Sequence, residues 1–242
     1  MSKTLCDLVA EFADKPPGSV RGIVIHLRRA TERRPLVESL ISAVGALEVW
    51  DAADGAALVA GGHPTECGID PGVVRTAGEV GCLVSHISAY QKAIQDGISH
   101  LVVFEDDCTV EPGFSLEKVG NYLQQVKEIS QEFSLERMKD FILLGTCGCY
   151  RWKDIRAGVK ATDHFNGSHA YIIGRPMMLT LIDSYIEFLA QKKTAPIDGL
   201  LPFLLQARRT YAFCAENDTA FFRQNREIPS YTVSDGSERR TG

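Results

Sequence analysis

The stretch Leu101-Val102-Val103-Phe104-Glu105-Asp106-Asp107 decides how this chain is read, because four apolar residues run straight into three carboxylates. A short apolar run bounded by charge fits a strand buried on both faces of a parallel sheet. Three adjacent acids at the end of such a strand repel one another. A hard divalent cation bound through oxygen, Mn²⁺ or Mg²⁺ with phosphate on its open positions, relieves that repulsion. Ligands of open α/β sheets sit beyond the carboxyl ends of the strands, which is where this triplet falls. The competing reading is a solvated acidic turn, and the hydrophobicity of the strand that delivers the acids favours the site.

Working outward, strand-like and helix-like segments alternate. Gly22 to Leu27 reads as a buried strand, Thr31 to Val44 as an amphipathic helix, and Leu47 to Trp50 as a second strand ending near Asp51 and Asp54. Beyond the acids come a helix within Phe114 to Glu136, strands at Phe141 to Leu144 and Ala170 to Ile173, a helix at Pro176 to Ala190 and a strand-like Tyr211 to Cys214. This order predicts an α/β fold: a mostly parallel, Rossmann-related sheet with helices on both faces, in one domain. The segment Gly55 to Arg75, with five glycines and two prolines, breaks the rhythm and reads as a loop or insertion. Leu5, Leu8, Val9 and Phe12 recur at helical spacing, which makes residues 1–19 an amphipathic extension punctuated by Pro16-Pro17-Gly18. The main domain is expected over 20–233, and the polar tail 234–242 is expected to be disordered.

Composition narrows the class. A net charge of -5 over 242 residues gives no electrostatic footprint for nucleic acid. A mean hydropathy of -0.06 fits a soluble globular chain. Met1 to Lys15 carries Asp7, Glu11 and Asp14 without a long apolar core, so neither a signal peptide nor a transmembrane segment is expected, which leaves room for peripheral membrane contact. Seven cysteines without regular spacing read as free thiols, and with them a reducing, cytoplasmic setting is expected. Cys147-Gly148-Cys149 has no second Cys or His pair at zinc-ligand spacing, so it reads as structural.

Between Thr76 and Gly97, Val80, Leu83, Ile87, Tyr90 and Ile94 fall three and four apart on one helical face, the face of a core helix. Thr76 and Glu79 have the spacing of a capping box, which would occupy Glu79 with the helix's first amides. His86 follows Glu79 by two turns, and both lie at the edge of the apolar stripe, where they could share a site wall.

Taken together, Val24-Ile25-His26-Leu27-Arg28-Arg29 with Arg33-Arg34, Ala53-Asp54-Gly55, Gly78-Glu79-Val80-Gly81-Cys82-Leu83-Val84-Ser85-His86, Phe104-Glu105-Asp106-Asp107, Ala170-Tyr171-Ile172-Ile173 and Pro196-Ile197-Asp198 resemble glycosyltransferase family 25. That family includes lipooligosaccharide and procollagen galactosyltransferases. The resemblance covers Gly22 to about Asp198, with a weaker echo at Phe222 to Tyr231. It implies a GT-A fold, a UDP-sugar donor such as UDP-galactose, a divalent metal, inversion at the anomeric carbon, and a glycan, glycolipid or protein acceptor.

On this resemblance Asp107, with Glu105 or Asp106 beside it, would hold the metal and so offset the charge growing on departing UDP. Arg28 and Arg33, among four arginines near a helix start, would grip diphosphate, and Asp54 would bind uracil or ribose. His26, Leu27, Ser85, Glu105 and Asp106 belong to the same donor set. An inverting transfer also needs a base at the acceptor hydroxyl. Asp198 is the candidate, with an ordinary helix cap as its alternative. Glu79 and His86 join the catalytic set, while Glu216 and Asp218 compete with Asp198. His164 and His169, around the loop Asn166-Gly167-Ser168, carry no assigned role. A non-catalytic nucleotide-sugar-binding or interaction protein that keeps the fold is the second reading, and a metal-dependent phosphohydrolase the third. The presence of Glu105, Asp106 and Asp107 together with Asp54, Glu79, His86 and Asp198 favours the enzyme.

Overall fold

The computed structural model describes residues 3–16, 18–215, 221–225 and 227. In chain order the elements are α1 (Leu5–Phe12), β1 (Val20–His26), α2 (Arg34–Val44), β2 (Leu47–Asp51), α3 (Gly55–Ala60), α4 (Ala77–Gln95) and β3 (His100–Glu105). Past the acids come β4 (Cys108–Val110), α5 (Leu116–Glu132), β5 (Phe141–Gly145), β6 (Gly148–Arg156), β7 (Val159–Asn166) and β8 (Ala170–Gly174). The chain continues through α6 (Arg175–Ala190), α7 (Ile197–Ala207), β9 (Ala212–Ala215) and β10 (Phe222–Gln224). The expected tail 234–242 lies outside the described residues.

Eight strands form one sheet in the order β2-β1-β3-β8-β5-β9-β7-β6. β1 pairs in parallel with β2 and β3, and β5 with β9, while β8 and β7 run against their neighbours. Six strands therefore point one way and two the other, so the mostly parallel α/β sheet read from the sequence is the one that forms. β4 and β10 make a separate antiparallel ribbon just beyond the acids.

Alternation along the strands builds two cores, because successive side chains point to opposite faces. Val20 and Val24 of β1 and Val102 and Phe104 of β3 face one way, under α1, α2 and α5, with Leu5, Val9, Leu40 and Leu123 among them. Ile23, Ile25, Leu101 and Val103 face the other way, under α4, α6 and α7, with Leu83, Ile87, Tyr90, Met178 and Leu200. Each such fully buried side chain contributes about 1.5–3 kcal/mol of transfer free energy, so the strands between the two layers are the most firmly held part of the molecule. Among the described residues no helix is long and apolar enough to cross a membrane, and none of the seven cysteines is in a disulfide.

Three local expectations differ from what forms. The helix read from Thr31 begins as a 3-10 turn over Thr31–Arg33 and becomes α-helical only from Arg34, with Pro35 in its first turn. The supposed loop after Asp54 starts as α3, capped by the Asp54 side chain, which accepts from the Ala56 amide. Glycine permits this: a Cβ on Gly55 would lie 1.6 Å from the Ala77 carbonyl oxygen, so α3 and α4 touch backbone to backbone. The hairpin β6–β7 was not anticipated. Arg151, Lys153, Asp154 and Arg156 on an edge strand, with three register shifts, hide its period of two.

Candidate functional site

The same alternation sends the three acids in different directions. Asp106 keeps the parity of Val102 and Phe104 and turns toward α2, as His26 does beside it on β1. The two side chains meet: His26 Nδ1 lies 2.9 Å from Asp106 Oδ2, which also accepts from the Leu27 amide at 3.3 Å. Arg33, at the turn leading into α2, donates to the other oxygen. Arg33 and Asp106 are only 7% and 8% exposed, so Asp106 already has its cation in a buried ion pair. His26 Nε2 is buried without a hydrogen-bond partner.

Glu105 keeps the parity of Leu101 and Val103 and faces α4. It meets Cys82 Sγ at 3.9 Å and His86 Nε2 at 3.4 Å, the latter too poorly aligned for a hydrogen bond. Burial pushes the His86 imidazole down to about 3, so the ring is neutral near pH 7 and offers Glu105 no charge. Tyr171 holds that ring from behind, its hydroxyl 2.6 Å from Nδ1, with the Tyr90 hydroxyl beyond. The Glu105 carboxyl is driven well above the usual carboxylate range, first by desolvation and then by Asp107, Asp198 and Asp106, against the pull of Arg33.

Asp107 sits in the turn between β3 and β4. Gln224 Nε2 donates to its Oδ2 at 3.1 Å, and Arg33 Nη1 lies 3.7 Å away. Its Oδ1 is buried with no hydrogen-bond partner. Burial raises this carboxyl, opposed by Arg33 and the Gln224 bond. Glu105, Asp107 and Asp198 thus share a region in which the buried Arg33 guanidinium binds Asp106 and lies 3.7 Å from Asp107. Atoms of Cys82, His86 and Glu105 also fall within 4.8 Å of one another, close enough to hold a metal ion.

These groups open into one cleft of about 480 Å³. Leu27, Arg29, Ala52 and Ala53 line the end at β1 and β2, Glu105 to Asp107 the middle, and Asp198, Asn166, Gly167 and Tyr150 the end toward the hairpin. Ser85 ties α4 to the loop after β2, accepting from the Ala53 amide at 2.8 Å and donating to the Gly81 carbonyl at 2.6 Å. Asp198 is in the first turn of α7, but Pro196 occupies the cap position. The capping role weighed for Asp198 is therefore not the one it takes. Its Oδ1 accepts instead from the Ser168 amide at 3.0 Å and from the Ser168 hydroxyl.

Of the residues singled out from sequence, Leu27, Arg33, Ser85, His86, Glu105, Asp106, Asp107 and Asp198 line this cleft, and His26 supports it through Asp106. Three others do not line it. Arg28 is exposed and bonded to Asp51 at 2.8 Å. Asp54 caps α3 and pairs with Arg29 at 2.9 Å. Glu79 closes the capping box, accepting from the Thr76 amide at 2.9 Å, and also takes Arg75 at 3.1 Å. Glu216 and Asp218 lie outside the described residues. Sequence reading missed Cys82, Tyr150 and Gln224 as site members. Cys82 stands one helical turn before His86, a spacing that places both on one face and could have been read. Gln224 reaches Asp107 only through the β4–β10 pairing, which has no local signature.

Residues 21–201, three quarters of the chain, match the family described as "Glycosyltransferase family 25 (LPS biosynthesis protein)". The chain belongs to glycosyltransferase family 25. Its curated relatives include a Bos taurus protein named "Probable inactive glycosyltransferase 25 family member 3", 31% identical over 136 residues, which cover 50% of this chain and 21% of that protein. A Drosophila melanogaster "Glycosyltransferase 25 family member" is 28% identical over 158 residues, 56% of this chain and 25% of that protein. This family 25 chain thus spans about a quarter or less of the length of these relatives. Among solved structures, a UDP-glucose pyrophosphorylase complexed with UDP-glucose aligns over 88% of this chain and 78% of that one, with a TM-score of 0.35 and 13% identity.

Proposed function

We propose that this family 25 protein is a metal-dependent inverting glycosyltransferase that moves a hexose, galactose first among the candidates, from a UDP-sugar to a hydroxyl of a glycan, glycolipid or protein. The observation that carries this reading is the partnerless, buried Oδ1 of Asp107 beside a Glu105 whose histidine neighbour is neutral. Such a pair is short of positive charge, and two hard carboxylate oxygens suit Mn²⁺ or Mg²⁺. Asp107 and Glu105 would hold the ion, with Cys82 and His86 next in reach of Glu105. A divalent cation there supplies Lewis-acid stabilisation of a departing diphosphate.

The chain's own residues supply the rest. Arg33 locks Asp106, and through it His26 and the Leu27 amide, so the floor of the cleft is rigid before donor arrives. Ala52 and Ala53, held by Ser85, wall the end where a uridine would lie. His86, neutral and braced by Tyr171, stands beside Glu105 without competing for its charge. Asp198, fixed through one oxygen by Ser168, keeps the other for an acceptor hydroxyl, as an in-line displacement requires. Seven cysteines, none of them in a disulfide, suit the cytoplasm, where lipid-linked or protein acceptors are at hand.

A non-catalytic nucleotide-sugar-binding protein is the second reading, favoured by the mammalian relatives whose names call them inactive. A panel of UDP-hexoses with Mn²⁺ separates the two. The enzyme should release UDP in an EDTA-sensitive manner, faster when a glycan acceptor is added. Tight UDP binding with no release from any donor would establish the second reading instead.

A further inference from the structure

The hairpin end of the cleft carries an aromatic ring that the chemistry above does not use. Large apolar side chains exposed among the described residues include Val49, Phe133, Leu179, Ile186 and Phe203, none of which lines the cleft. Tyr150 lines it and is 59% exposed. Its placement is built. Cys149 pairs with Phe165 and Arg151 with His164, leaving Tyr150 as the extra residue of a β-bulge, a device that re-aims a side chain beside a site. Asn166 Nδ2 donates to its hydroxyl at 3.1 Å, and the His164 ring meets it edge-on with centroids 5.6 Å apart.

Gly167 lines the same end of the cleft with φ +68, and a Cβ there would come 2.4 Å from Cys147 Sγ, so only glycine fits against Cys147 at this point. Along the sheet the acids of β3 lie between Tyr150 and the β1–β2 end, with Asp198 on the Tyr150 side, anchored to Ser168 between β7 and β8. A ring beyond the base, on the side away from the nucleotide end, faces what the base acts on.

We propose that Tyr150 is the stacking platform for the hexose ring of the acceptor glycan, its electron-rich face against the C–H face of the sugar, with Asn166 beside it as polar partner. The assignment rests on the transferase reading for the word acceptor. The sugar-binding role of the ring stands apart from it.

Saturation-transfer NMR tests the platform, using lactose and the methyl glycosides of galactose, glucose and mannose, with and without UDP and Mn²⁺. At least one glycoside should receive saturation on its ring protons from the wild type. Tyr150→Ala should weaken that binding by roughly tenfold, the upper range for an aromatic pair. Tyr150→Phe, which keeps the ring, should stay near wild type, and both variants should keep the wild-type thermal shift with UDP. No binding of any glycoside to the wild type would overturn the platform, as would an Ala variant that binds sugar undiminished or loses UDP in step. If the wild type fails to bind UDP but still needs Tyr150 for sugar, the transferase reading falls while the platform stands.

Discussion

Replacing Asp198 by asparagine should lower hexose transfer by roughly 10²- to 10⁴-fold while leaving UDP affinity nearly unchanged, the signature of a lost general base. The geometry behind this is specific. Ser168 holds Oδ1 through both its amide and its hydroxyl, so a carboxylate that lines the cleft is anchored through one oxygen, and asparagine can keep that anchor while losing basicity. Steady-state kinetics with UDP titrations would separate the outcomes. A loss of affinity in step with turnover would place Asp198 in the donor or metal shell and move the search for the base to Glu216 and Asp218. No change in either would reduce Asp198 to an acid in the first turn of α7, where it contributes only about 0.3–1 kcal/mol against the helix dipole.

Arg33→Met should destabilise the fold by about 3–5 kcal/mol, because it leaves the Asp106 carboxylate buried without its guanidinium. His26 cannot replace it, since one imidazole contact serves a single oxygen where Arg33 holds the other. Urea unfolding measures the loss. The double variant Arg33→Met with Asp106→Asn should recover most of it, since the charge that needed a partner is gone. A single variant within about 0.5 kcal/mol of wild type would mean that the pair is screened by water, and the rigid floor attributed to it would not exist.

Much of this is legible in the sequence. The run Leu101 to Phe104 specified a strand buried on both faces, and the period of two carries on into the acids, which is why Glu105 turns to α4 and Asp106 to α2. The capping box at Thr76 and Glu79 and the apolar stripe from Val80 to Ile94 were readable for the same reason: both are local. What escaped was long-range. Nothing near Arg28 announces that Asp51 will take it, nor near Asp198 that Ser168 will hold it from thirty residues away. Tyr150 was hidden twice, by a charged edge strand and by a bulge that breaks the alternation through which strands are found. The glycines were visible, but their use was not. Gly55 and Gly81 matter because α3 and α4 meet there, a contact that only the assembled fold reveals.

The central claim is that Asp107 and Glu105 form a cation site completed by a diphosphate. Thermal unfolding with UDP, with Mn²⁺, and with both tests it most directly, since a ligand held only by the folded state raises its stability in proportion to RT ln(1 + [L]/Kd). For the wild type, the shift with both ligands should exceed the sum of the two separate shifts. In Asp107→Asn, which removes the charge behind the partnerless Oδ1, the excess should vanish while the ligand-free protein melts close to wild type. Strictly additive shifts in the wild type, or an excess that survives intact in Asp107→Asn, would contradict the claim.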